Sequence, residues 1–174
     1  MINIVRLEKF NVDFDCNKIT PFFQSTNGYR IRFDIGKLEK TVLQTIINSI
    51  YEQDEEIEMI FISEYIINRK RISSKSNISK IITIRNWKEI PIVDEETNEG
   101  VVYVNIKRLK RSDIYNYCLA IKKGFREVYI SFFSDTFLFY VSSDVIDIIS
   151  NDGSKISKLK EKYVELYDTY HEVE

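Results

Sequence analysis

From Tyr29 to Ile35 the chain alternates apolar and charged residues without a break, "YRIRFDI". Tyr29, Ile31, Phe33 and Ile35 fall on one face of an extended chain and Arg30, Arg32 and Asp34 on the other, which predicts a strand with one buried and one wetted side. Gly36 ends the alternation and the period changes. Leu38, Val42, Ile46 and Ile50 recur every four residues, with Leu43 and Ile47 widening the stripe, so an amphipathic helix follows. The acidic "EQDEEIE" then leads into "MIFI", read as a short buried strand. Residues 65–80, "YIINRKRISSKSNISK", carry five basic residues and no acid, and read as a short element followed by an exposed loop. "IITI" predicts another strand ending at "NWKEIP", where Pro91 and the acidic "DEETNEG" mark a turn. "VVYVNI" is a further strand, pairing with its predecessor across that loop.

"KRSDIYNYCLAIKKGF" is the clearest helix signal. Ser112 is placed to cap it, Asp113 complements the positive end of the dipole, Ile114, Cys118 and Ile121 share a face, and Gly124 closes it. "VYISFF", "TFLFYV" and "VIDII" follow closely, separated by "SD" and "SSD", and predict an antiparallel meander. A last helix starts near Ser154, with Ile156, Leu159, Tyr163, Leu166 and Tyr170 at helical spacing. Strands and helices do not alternate strictly. The expected class is therefore α+β: a mixed, mostly antiparallel sheet packed on about three helices, ending in a three-strand meander and a final helix.

The 174 residues suit a single domain, 1–174, large enough to fold without disulfides or metal. Hydrophobic residues make up 44% and charged residues 30%, which is globular composition. Ala120 is the only alanine among abundant Ile, Phe and Tyr, a bias expected of an AT-rich coding genome. No apolar run approaches the ~20 residues of a membrane span and the first residues form no signal-peptide pattern, so the expected compartment is the cytoplasm. Cys16 and Cys118 belong to no metal or redox spacing, and Cys118 reads as a buried inert thiol. A net charge of −2 disfavours broad nucleic-acid binding.

Much chemistry is disfavoured. The five glycines are isolated, so no loop resembles a phosphate cradle, and the single histidine, His171, lies near the C-terminus. No catalytic, cofactor or metal residue is assigned. Asp144 and Asp147 lie three apart in a strand and point to opposite faces, so they do not form a carboxylate pair, and Asp144 reads as a turn residue. Arg30, Arg32 and Asp34 share a face that could hold an anion, but a solvated strand face is the plainer reading.

"YRIRFDIG" resembles the RFE-L-G core of an uncharacterised family of small Gram-positive bacterial proteins, a domain of unknown function. The helix running to "EQDEEIE", then "KRSDIYNYCLAI", "YISFF", "DVIDII" and the closing "LYDTYHE" are similar in order and spacing, covering residue 28 to the end. In that family an acidic, glycine-containing turn often precedes the D-V-I triplet, whereas here "VSS" precedes Asp144. The resemblance implies a fold and no activity.

The expected function is therefore non-enzymatic protein binding, most concretely a cytoplasmic immunity protein or inhibitor that neutralises a basic toxin or effector. Asp54, Glu55, Glu56, Asp94, Glu95 and Glu96 supply acidic surface, and Tyr167 and Tyr170 aromatic anchors. The alternative is a small ligand-binding or hydrolytic enzyme using Arg30, Arg32, Asp34 and Asp144. A basic arm at 68–80 contacting nucleic acid ranks third. The sequence leaves open whether Trp87 is a core anchor or an exposed binding residue, burial being the commoner fate.

Overall fold

The computed structural model describes residues 4–172. In chain order the strands are β1 (Val5–Leu7), β2 (Val12–Phe14), β3 (Arg30–Asp34), β4 (Ile57–Ile67), β5 (Lys70–Ser73), β6 (Trp87–Asp94), β7 (Glu99–Leu109), β8 (Ile130–Phe133), β9 (Phe137–Val141) and β10 (Val145–Ser150). The α-helices are α1 (Pro21–Gln24), α2 (Lys40–Ile50), α3 (Arg111–Lys122) and α4 (Gly153–Lys162). β1 and β2 form a hairpin of their own. The remaining eight strands build one antiparallel sheet, seven of them in the order β3-β10-β9-β8-β4-β7-β6 and β5 paired to β4 off that path. The fold is α+β with the sheet packed against helices, as the pattern predicts, and β8, β9 and β10 are the expected meander.

Two apolar layers hold the sheet. On one face Ile31 and Phe33 of β3, Met59 and Phe61 of β4, and Phe139 and Ile148 of the meander pack against Ile46 and Ile47 of α2, Ile114 and Cys118 of α3, and Ile156 of α4. On the other, Ile60, Ile62, Tyr103, Leu138 and Ile149 are covered by Val12 and Phe14 of the β1–β2 hairpin. Burial on both faces explains why β8, β9 and β10 read as continuous apolar runs rather than as alternations. Among the described residues no helix is long and apolar enough to cross a membrane.

Several local expectations change. β4 is eleven residues long and has two partners along one edge: β8 meets Glu58–Phe61, and β5 meets Glu64–Ile67. The turn into β5 is Asn68–Arg69, both with positive φ, so the short element expected in the basic stretch is a hairpin strand. "IITI" is not a strand; after a single 3-10 turn, Ile82 inserts into the helix-side core, and β6 begins only at Trp87. β6 then runs through Pro91, which sits in the sheet's edge strand, where a missing N–H is tolerated. Gly100 lets β7 approach β6, because a Cβ there would lie 2.0 Å from the Ile92 carbonyl oxygen. The N-cap of α3 is Lys110, with Asp113 closing the cap, and that of α4 is Asp152, so neither Ser112 nor Ser154 is the cap. α4 stops at Lys162, and Leu166 and Tyr167 lie in the turns that follow.

Candidate functional site

Two of the three charged side chains on β3, Arg30 and Arg32, are covered rather than wetted, and Asp34 is partly exposed. Register places Arg32 opposite Asp147 of β10, and Asp147 opposite Tyr140 of β9. The Arg32 guanidinium grips the Asp147 carboxylate with both arms, Nε to Oδ1 at 2.6 Å and Nη2 to Oδ2 at 2.8 Å, and Asp147 is fully buried. Arg30 is 9% exposed and donates to three main-chain carbonyls: Phe22 and Ser25 through Nη1, and His171 through Nη2. The Phe22 ring lies within 4.3 Å of the Arg30 guanidinium carbon and 4.1 Å of the Arg32 one. The expectation of a solvated face is thus corrected. Alternation reported two different faces, and α1 with the C-terminal segment covers the second.

This cluster is closed rather than receptive. Burial lifts the Asp147 carboxyl above the usual carboxylate range, and Arg32 pulls against that. The C-terminal segment is fastened over β3 by Asp168 N–H donating to Arg32 O at 2.8 Å, and by Lys160 Nζ, which donates to Asn27 O and to the Glu172 carboxylate. Asp34 accepts from Gly36 N–H at 2.9 Å and shapes the turn after β3. Asp144 is exposed in the β9–β10 turn, away from buried Asp147. None of the five main clefts is lined by Arg30, Arg32, Asp34 or Asp144, so the residues of the enzymatic alternative do not converge. Among the described residues no three His, Cys, Asp or Glu side chains are grouped as metal ligands.

The residues expected to meet a partner fall into three separate places. Asp54, Glu55 and Glu56 lie before β4, where Ile57 pairs with Leu109. Glu55 accepts from Glu52 N–H, and the cleft lined by Glu55 and Glu56 also contains Lys107 and Arg108, which offset its charge. Asp94, Glu95 and Glu96 form the β6–β7 turn at the other end of β7, with Asp94 accepting from Glu96 N–H. Nine residues of strand separate the two groups, roughly 30 Å at 3.3 Å per residue. Tyr167 is half-buried beside α4, and Tyr170 is 82% exposed near β3, across the sheet from β6.

The acidic hairpin has the more receptive surroundings. A cleft of about 220 Å³ is bounded by Asp15, Asp94 and Glu99 above Phe14, Ile92 and Tyr103, and no lysine or arginine lines it. Glu99 belongs to the acidic stretch already marked in the sequence as "DEETNEG", whereas Asp15 has no signal there, because it joins the site only through the β1–β2 hairpin folding across the sheet. Trp87 is 57% exposed at the start of β6, so it is not a core anchor, against the commoner fate expected of it. No family model matches the chain, and no curated protein or solved structure matches it.

Proposed function

We propose that the protein is a non-enzymatic protein-binding domain, an immunity protein or inhibitor that docks a basic toxin or effector. The acidic cleft at the β6–β7 hairpin carries the reading: three carboxylates rim an apolar floor with no internal cation to neutralise them. Such a rim steers a basic partner, and the floor accepts the stem of a lysine or arginine or a neighbouring apolar side chain. Glu95 and Glu96, exposed on the same turn, extend the field, and Tyr170 offers a separate aromatic contact.

The test is capture from the native cell lysate with the tagged full chain, followed by mass spectrometry. The expected result is a stoichiometric basic partner that is released at about 0.5 M salt, since exposed ion pairs are screened there, and that E95Q/E96Q/E99Q fails to retain. A partner retained equally by that variant, or no stoichiometric partner at all, overturns the proposal.

A further inference from the structure

The opposite end of the β6–β7 ribbon carries the opposite charge. Lys107, Arg108 and Lys110, from "IKRLK", and Arg85, from the segment leading into β6, line one cleft of about 320 Å³. All four are exposed, and none is ion-paired among the described residues. The single carboxylate on the wall, Asp113, is already committed: its Oδ2 accepts from Lys110 N–H at 2.8 Å to cap α3. Lys107 and Arg108 also border the cleft containing Glu55, Glu56, Glu58 and Asp135, again without an ion pair.

A backbone irregularity puts these side chains together. Ile57 pairs with Leu109 and Met59 with Ile106, so three steps of β7 meet two of β4. Arg108 takes up the surplus at φ 63, in the left-handed region that arginine seldom occupies. The bulge breaks the alternation of β7, and consecutive Lys107 and Arg108 both line the cleft. Four cations and one committed carboxylate leave this concavity positive, with the potential reduced on the side of Lys107 and Arg108 by Glu55, Glu56, Glu58 and Asp135 of the neighbouring cleft, and an anion relieves what remains.

Trp87 adds an aromatic surface. It stands beside the cleft rather than on its wall, following Asn86 and pairing with Ile106, which both line it, and the residue is 57% exposed. We propose that this cleft binds single-stranded nucleic acid, with backbone phosphates on Arg85, Lys107, Arg108 and Lys110 and a base stacked on Trp87. A site built for a lone phosphate holds it on partly buried donors, whereas these four cations are all exposed. An acidic peptide uses the cations but gives the indole no flat partner, which a base does. The net charge of −2 does not oppose this, because the acidic turn lies at the far end of β6, about 23 Å away at 3.3 Å per residue. The site is independent of the protein-binding reading.

Trp87 is the only tryptophan, so its fluorescence reports on this place alone. A 12-nucleotide oligo-dT is titrated into the full chain at 50 and 200 mM salt. The expected result is saturable quenching that weakens about 50-fold between the two salts, as four phosphate contacts on a single strand require. K107E/R108E and, separately, R85E reduce affinity at least tenfold while keeping the wild-type circular dichroism and melting profile. K155E/K158E on α4 leaves affinity unchanged. With labelled oligonucleotide and anisotropy as readout, Trp87→Ala weakens binding about tenfold. Absence of quenching overturns the proposal, as does equal weakening by K155E/K158E. Quenching by hexaglutamate or pyrophosphate at the concentrations effective for oligo-dT also overturns it, in favour of an acidic peptide or a free phosphate.

Discussion

Arg32 and Asp147 are the residues whose removal the fold tolerates least. A buried ion pair gains little over apolar residues of the same shape, because desolvation offsets most of the attraction, but removing one partner strands the other's charge. Arg32→Met leaves the fully buried Asp147 carboxylate without its two charged donors. The expected loss is about 3–5 kcal/mol in urea unfolding, and the double variant R32M/D147L recovers more than half of it. A double variant as unstable as the single one would mean that the pair contributes shape or specificity beyond its charge. The pair was only half legible in the sequence. Periodicity put Arg30 and Arg32 on one face and separated Asp147 from Asp144, yet which residue of β10 lies opposite Arg32 is fixed by register between strands more than a hundred residues apart. Whether water or another layer covers a charged face is equally a tertiary fact, and here Phe22 and the C-terminal segment decide it.

At the scale of elements, strong local periods survived folding and weak ones did not. α2, α3 and the meander were readable because each has a long stripe or closely spaced apolar runs. "IITI" was misread because a short apolar run serves a strand or an irregular core plug equally well, and only packing against the helix layer distinguishes them. Caps were readable in kind and wrong in position: the assignment fell on Ser112 and Ser154, one and two residues from an aspartate, while the Asp152 side chain caps α4 by accepting from Ser154 N–H at 3.0 Å. Both the Ser154 hydroxyl and its N–H donate to that carboxylate, which holds its pKa below the usual value. A depressed carboxylate contributes stability above its unfolded pKa of ~3.9 and loses it as pH falls through the folded value. Asp152→Ala is therefore less stable than wild type at pH 7, and the gap in melting temperature narrows at pH 2.5. A gap independent of pH would assign the cap's contribution to shape rather than charge.

The whole molecule separates its charges along one ribbon: Asp94, Glu95, Glu96 and Glu99 at the β6–β7 turn, and Arg85, Lys107, Arg108 and Lys110 at the opposite end. A net charge is a sum and is blind to such a dipole, which is why −2 disfavoured nucleic acid in the sequence and yet leaves a basic cleft in the fold. The separation of about 23 Å decides how far the two ends influence each other. At 0.15 M salt the screening length is ~8 Å, so E95Q/E96Q/E99Q leaves oligo-dT affinity unchanged within error. At 0.01 M it reaches ~30 Å, and three acids acting on about four phosphates through water then oppose binding by a total approaching 1 kcal/mol. The same variant should bind oligo-dT about two- to fivefold more tightly at that salt. Equal tightening at both salts would require contact rather than a field, meaning that the strand runs the length of the ribbon and touches the acidic turn. A tightening confined to low salt instead makes the two ends independent sites, each free to hold its ligand while the other is occupied.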